Sequence, residues 1–314
     1  MSTFTPGYRA LRETAAWLDL TGHGVISVTG EDRLRLLHAM TTNHIQSLQP
    51  GQWRYAFFLN PQGRMLSDVN ILCRESDLLL DVEPNTRSQT LEHLDKFIIA
   101  DDVSLEDITE NVAVISLEGP TATDMVAVNV GLLTATPSWP ISSTGAPGVR
   151  YYVPAGEKVA LIAALESAGA SAATPEDAEA VRLEHARPRY GTDLTAAHIP
   201  HEARLAGAVH FNKGCYIGQE IVERVRSRGR PNRLLTHFEI EGTTPIPPGV
   251  KLMVDDKEVG EVTSSAYSPA ENRVLALGYV RTEFADPGKH VTVALESGPV
   301  QATATNRLVE TAAS

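Results

Sequence analysis

Apolar and polar positions alternate along this chain in two textures. In the first, short apolar runs of strand type are separated by stretches with helical spacing. Residues 24–30 (Gly24-Val25-Ile26-Ser27-Val28-Thr29-Gly30) predict a short strand closed by glycine. Glu31 and Asp32 then open a helix, where acidic side chains suit the positive end of the dipole. Leu34, Leu37 and Met40 supply its apolar stripe. Runs at 55–59, 66–73 and 78–82 predict further strands, with Asn60-Pro61-Gln62-Gly63 as a turn. Residues 86–99 predict a helix with Leu91, Leu94 and Ile98 on one side. A buried strand follows at 112–117, and Gly119-Pro120 starts a helix. Residues 138–148 read as a loop, 149–153 as a strand and 158–167 as a helix. Thr174-Pro175-Glu176-Asp177 is a capped helix start, and that helix is expected to run to Arg187, ahead of Pro188.

The second texture begins at Arg230-Pro231. Short β-type runs at 235–240, 250–254, 259–264, 274–280 and 291–295 alternate with turns rich in Gly, Pro and Asp. They predict a separate small β-barrel or sandwich. The expected fold class is α+β, with compact α+β units over 1–230 and the β-rich domain over 231–314. The earlier alternation is also compatible with a doubly wound sheet. No solenoid or propeller period is present.

At 314 residues, two or three domains are expected. A composition that is 42% hydrophobic and 21% charged disfavours disorder. A net charge of −12 argues against general binding to nucleic acid or to an anionic membrane. Two cysteines far apart form neither a disulfide framework nor a metal cage. The first residues lack the features of a signal peptide, and no apolar run reaches membrane-spanning length. A reducing cytoplasm is the expected location.

Candidate chemistry concentrates in Lys213-Gly214-Cys215-Tyr216-Ile217-Gly218-Gln219-Glu220. A free cysteine is usually a buried small hydrophobe, and Cys73, ending the apolar run Val69-Asn70-Ile71-Leu72, fits that description. Cys215 does not, because its neighbours make a poor core. A nearby cation lowers a thiol's pKa, and two glycines let the backbone approach a ligand or take positive φ. Glu184, late on its helix, is either a solvated carboxylate paired with Arg187 or an acceptor for a heterocycle's N–H and amino groups. The basic run Arg224-Val225-Arg226-Ser227-Arg228-Gly229-Arg230 is either a solvated face or an anion site for a polyglutamate tail, a phosphate or RNA. His185, His198, His201 and His210 lack metal-ligand spacing.

The Lys213–Glu220 octamer is similar to the signature of the YgfZ-type folate-binding family, which is linked to iron–sulfur protein maintenance. Leu59-Asn60-Pro61-Gln62-Gly63, Ile115-Ser116-Leu117-Glu118-Gly119-Pro120, Arg182-Leu183-Glu184, Tyr190-Gly191, Val259-Gly260-Glu261-Val262-Thr263-Ser264 and Ser268-Pro269 resemble the wider superfamily of the glycine-cleavage T-protein, an aminomethyltransferase. The resemblance implies two interleaved α+β subdomains and a C-terminal β-barrel. It implies tetrahydrofolate, or a one-carbon-substituted derivative, as ligand, and iron–sulfur client proteins or assembly machinery as partners. Glu184 matches the carboxylate that holds the pterin. Tyr190, Gly214, Gln219, Glu220 and Arg224 are the further candidate ligand contacts. Cys215 is the candidate working thiol, poised by Lys213. Asp68 falls near the T-protein's catalytic aspartate, but Ser67-Asp68 stands where T-proteins carry paired acids. The readings are a folate-binding protein supporting iron–sulfur enzymes, a folate-dependent aminomethyl or one-carbon transferase, and a folate-binding scaffold without chemistry.

Overall fold

The computed structural model describes residues 4–128, 131–296 and 298–308. It is a mixed α+β protein whose chain divides into two compact, interleaved units. Among the described residues, one comprises 4–21, 113–193 and 232–308, and the other 22–112 and 194–231.

The Gly22–Val112 unit is built on a five-stranded sheet. In sheet order its strands are Trp53–Leu59, Met65–Cys73, Leu78–Val82, Gly24–Thr29 and Ser104–Asp107. Alternation along Met65–Cys73 sends Met65, Ser67, Val69 and Ile71 to the buried face and leaves Leu66, Asp68 and Asn70 half-buried on the other. The helix predicted after Asp32 forms at Arg33–Met40, and Leu36, Leu37 and Met40 bury against Ile26, Val28, Phe58 and Ile71. Full burial of one such side chain is worth about 1.5–3 kcal/mol. The helix read at 86–99 is shorter, spanning Arg87–Asp95 and followed by turns. The Gln219–Arg228 helix, over the basic run, closes this unit.

The other unit holds a second five-stranded sheet, ordered Ser171–Ala172, Ala16–Asp19, Val112–Glu118, Gly148–Pro154 and Ser138–Trp139. The predicted loop at 138–148 thus starts with a two-residue strand, which pairs with Arg150 and Tyr151. The same unit contains a closed six-stranded barrel of Arg233–Ile240, Arg273–Arg281, Lys257–Ser268, Lys251–Val254, His290–Leu295 and Gly298–Ala304. The sixth strand, begun by Gly298-Pro299, lay outside the predicted runs, because Gly and Pro at a strand start read as a turn.

The Pro175–Glu184 helix carries the capping box expected at Thr174 and Asp177. It stops three residues short of Arg187. Ala186 N–H donates to Leu183 O at 3.0 Å and Arg187 N–H to Arg182 O at 2.9 Å, with Ala186 left-handed at φ 50°. This is a Schellman ending with alanine where glycine is usual. The buried Arg182 guanidinium holds it, donating to Arg187 O at 2.6 Å and to Asp193 Oδ2 at 2.7 Å. Burial opposes the Arg182 charge, but Asp193 and Glu179 outweigh it and hold the guanidinium above its ordinary pKa. A bulge at Thr263 aims both the Thr263 and Ser264 hydroxyls at Asp193 Oδ1, each at 2.6 Å, fixing the barrel to this segment.

Candidate functional site

The Lys213–Glu220 octamer forms a short loop leading into the Gln219–Arg228 helix. Its geometry begins at two glycines. Gly218 is left-handed at φ 81°, and a Cβ there would lie 2.6 Å from Asn60 O and 3.1 Å from Gly63 Cα. Gly63, at φ 71°, would in turn drive a Cβ to 2.9 Å from Ile221 Cβ. Neither position admits a side chain, so the Asn60–Gly63 turn sits backbone to backbone on the start of the helix. Gln219 closes the loop by accepting from Tyr216 N–H at 3.3 Å.

Lys213 is only 6% exposed. Its ammonium donates to the His38 carbonyl, in the last turn of the Arg33–Met40 helix, where carbonyls are unpaired and the dipole is negative. His38 returns the contact. Its Nδ1 accepts from Ile45 N–H (3.2 Å) and Gln46 N–H (3.3 Å), so Nε2 carries the proton and donates to Lys213 O at 2.7 Å. Burial, the nearby Lys213 charge and the His44 and His210 rings hold His38 below its ordinary pKa, consistent with this neutral form. The Lys213 Nζ also lies 4.8 Å from the Tyr216 ring centroid. Desolvation lowers the Lys213 pKa to about 8, against the opposing attraction of Cys215.

Two residues on, Cys215 is exposed, and its neighbour Gly214 stands at φ 97° in open space. Cys73 contrasts with it: that thiol is buried and pushed up in pKa by burial. Glu220 and Arg224 are exposed on the helix that follows. Arg226 lies 4.3 Å from the Phe211 ring centroid. Asp68 sits on the hairpin that ends in the Asn60–Gly63 turn and accepts from Tyr55 O–H at 2.9 Å. Ser67 points the opposite way and donates to Thr86 at 3.0 Å. A second carboxylate at that position would be buried.

Glu184 and Tyr190 belong to the other unit. Glu184 is not the solvated partner of Arg187. Its side chain is 3% exposed, and Tyr8 O–H and Ser268 O–H donate to Oε1 while Arg12 donates to Oε2. Burial and then the Glu184 charge push the Tyr8 phenol up to about 12. Burial works against the Arg12 charge, but the carboxylate wins and holds Arg12 above its ordinary range. Tyr190 is buried at 7% exposure. An acceptor-only carboxylate fits the donor edge of a pterin in kind, and with three of its about four acceptor sites taken, an edge with two N–H donors must exchange with one donor already present. Sequence reasoning missed Tyr8 and Arg12. The available signal was Thr5-Pro6, a cap and first-turn proline, followed by two polar side chains four residues apart.

In this unit lies a cavity of about 550 Å³ lined by Tyr8, Asp177, Glu179, Arg189, Tyr267 and Pro269 among others. Among the described residues, no group of three or more His, Cys, Asp and Glu side chains is placed to hold a metal ion, and no helix is long and apolar enough to cross a membrane.

The fold combines a discontinuous α+β body with a closed C-terminal six-stranded barrel. Residues 3–136 match the family model described as GCVT N-terminal domain, and residues 233–309 that of the glycine cleavage T-protein C-terminal barrel domain. The chain therefore carries both domains of the T-protein (aminomethyltransferase) superfamily. It is similar to "Putative transferase At1g60990, chloroplastic" of Arabidopsis thaliana, with 29% identity over 88% of this chain and 67% of that protein. An aminomethyltransferase of Thermosynechococcus vestitus is 28% identical over 93% of this chain and 84% of its own length. The crystal structure of the glycine cleavage system aminomethyltransferase T from Bartonella henselae superposes with a TM-score of 0.87, covering 97% of this chain and 89% of that one at 21% identity, which shows the shared fold.

Proposed function

We propose that this protein binds tetrahydrofolate, or a one-carbon-substituted derivative, and supports the assembly or repair of iron–sulfur enzymes through the Cys215 thiol. The observation that carries the reading is the loop itself. An exposed cysteine follows a lysine held buried, and the loop is clamped by the His38–Lys213 exchange and by the Gly63–Gly218 contact. A buried ammonium is an expensive device for a plain structural loop. Glu184 would hold the pterin, with Tyr190 beside it in sequence. Gly214, Gln219, Glu220 and Arg224 are the remaining proposed ligand contacts. The bound folate would supply one-carbon chemistry, and the chain's part is to orient it and to present the thiol. Calorimetry with tetrahydrofolate under anaerobic, reducing conditions tests the ligand. No heat at high protein concentration would remove it.

A second reading, aminomethyl or one-carbon transfer, is favoured by a different observation. Asp68 lies half-buried on the strand face opposite the core, oriented by Tyr55, as an acid that positions a substrate amine would be. Relatives named aminomethyltransferase support it equally. Turnover of an aminomethyl-bearing donor in the presence of tetrahydrofolate, abolished in Asp68→Asn and retained in Cys215→Ala, would select this reading over the first.

A further inference from the structure

We propose that Arg12 is an internal competitor of the ligand at Glu184, and that this one side chain sets the affinity of the site. The inference rests on the folate reading above. A carboxylate has about four lone-pair sites, two on each oxygen. Oε1 of Glu184 is filled by Tyr8 and Ser268, and Arg12 takes one of the two sites on Oε2. The one site left cannot accept an edge that brings two adjacent N–H donors, so Arg12 must leave for such an edge to bind.

The three donors are not equally fixed. Tyr8 is 2% exposed, and its phenol oxygen also accepts from Ala270 N–H at 3.2 Å. Ser268 is 1% exposed and accepts from Glu271 N–H at 3.2 Å. Both are tied at a second point. Arg12 lies in the last turn of the Pro6–Glu13 helix with its side chain 37% exposed, and a long flexible stem lets it leave toward water. Its departure clears Oε2 and leaves the other two bonds in place.

Chemistry makes the exchange specific. The 2-amino-4-oxo edge of a pterin is an acylated guanidine: a planar N–C–N unit offering adjacent N–H donors. The Arg12 guanidinium has the same N–C–N unit and occupies the acceptor such an edge would use. Apparent affinity is the intrinsic affinity reduced by the fraction of molecules in which Arg12 has let go. Removing the competitor should tighten binding even though a positive charge is lost.

The test is calorimetry of tetrahydrofolate binding to the full-length wild type and to Arg12→Met, which keeps the stem and deletes the donors. Arg12→Met is expected to bind about tenfold more tightly, the effect of lifting a competent fraction of about one in ten. A parallel measurement uses the unmodified protein. The rate at which an arginine-selective 1,2-dione labels Arg12, followed by peptide mass spectrometry, should rise when tetrahydrofolate is added. Binding by the wild type with equal or weaker binding by Arg12→Met overturns the inference alone, as does labelling of Arg12 that falls with ligand. If the wild type binds no tetrahydrofolate, the folate reading is lost and this inference goes with it.

Discussion

Lys213→Met should make the protein more stable at pH 7. The ammonium is 6% exposed, and desolvation holds its pKa near 8 against an ordinary 10.5. A gap of that size corresponds to about 3 kcal/mol of disfavoured charge. Methionine keeps the stem against Tyr216 and removes the charge. It also leaves the His38 carbonyl without its donor, a loss of about 1–2 kcal/mol. The net expectation is a gain of about 1–2 kcal/mol at pH 7. The sign with pH follows from linkage. Below pH 8 the lysine is charged in both folded and unfolded states, and the penalty is complete. Between pH 8 and 10.5 the native state releases its proton first, so the penalty fades and wild-type stability rises relative to the variant. Urea unfolding of both proteins at pH 7 and pH 10 reads this directly. The variant should lead at pH 7 and lose that lead by pH 10. A variant less stable at pH 7, or a difference independent of pH, would refute the account of Lys213 as a charge buried at a loss. The same variant should alkylate more slowly at Cys215, because the nearby cation is gone.

Two further outcomes are expected. Gly218→Ala combines a left-handed φ with a Cβ 2.6 Å from a backbone oxygen and should lose about 2–4 kcal/mol in urea unfolding, whereas Gly214→Ala, left-handed in open space, should lose only about 1–2 kcal/mol; equal losses would mean that the turn contact is loose. His237 is fully buried with Nε2 donating to Leu183 O at 3.0 Å, and burial followed by the Arg307 charge depresses its pKa to about 4, so native stability should fall by about 3 kcal/mol as pH drops from 6.5 to 4, a component that His237→Asn removes from the pH profile.

Much of this architecture is written in local signals. Strand alternation at Met65–Cys73, the Asn60–Gly63 turn and the Thr174–Asp177 capping box depend on residues within a few positions of each other. The change of texture near Arg230-Pro231 precedes the first barrel strand at Arg233 by a few residues. What escaped was non-local. The Pro175–Glu184 helix ends where Arg182 meets Asp193, and no rule of propensity would put Ala186 at positive φ. The Ser171–Ala172 strand exists because it lies parallel to Ala16–Asp19, more than 150 positions earlier.

The candidate site divides the same way. Cys215, Lys213 and the two loop glycines stand out in sequence because their types are wrong for a core. Their partners do not. His38 is an unremarked histidine in an apolar helix, and its exchange with Lys213 spans 175 positions. Arg12 and Tyr8 reach Glu184 across 172 and 176 positions. Those contacts set the surroundings of the Glu184 carboxylate, and only the fold assembles them.

The account stands or falls most directly on Cys215. Cells lacking the protein would be supplied with the wild type or with Cys215→Ala, and the activities of their iron–sulfur enzymes measured together with the amount of folded protein. The expected result is restoration by the wild type and none by Cys215→Ala at equal folded abundance, with Cys215 of the purified wild type alkylating faster than buried Cys73. Full restoration by Cys215→Ala would contradict it and leave the Lys213–Glu220 loop as structure alone.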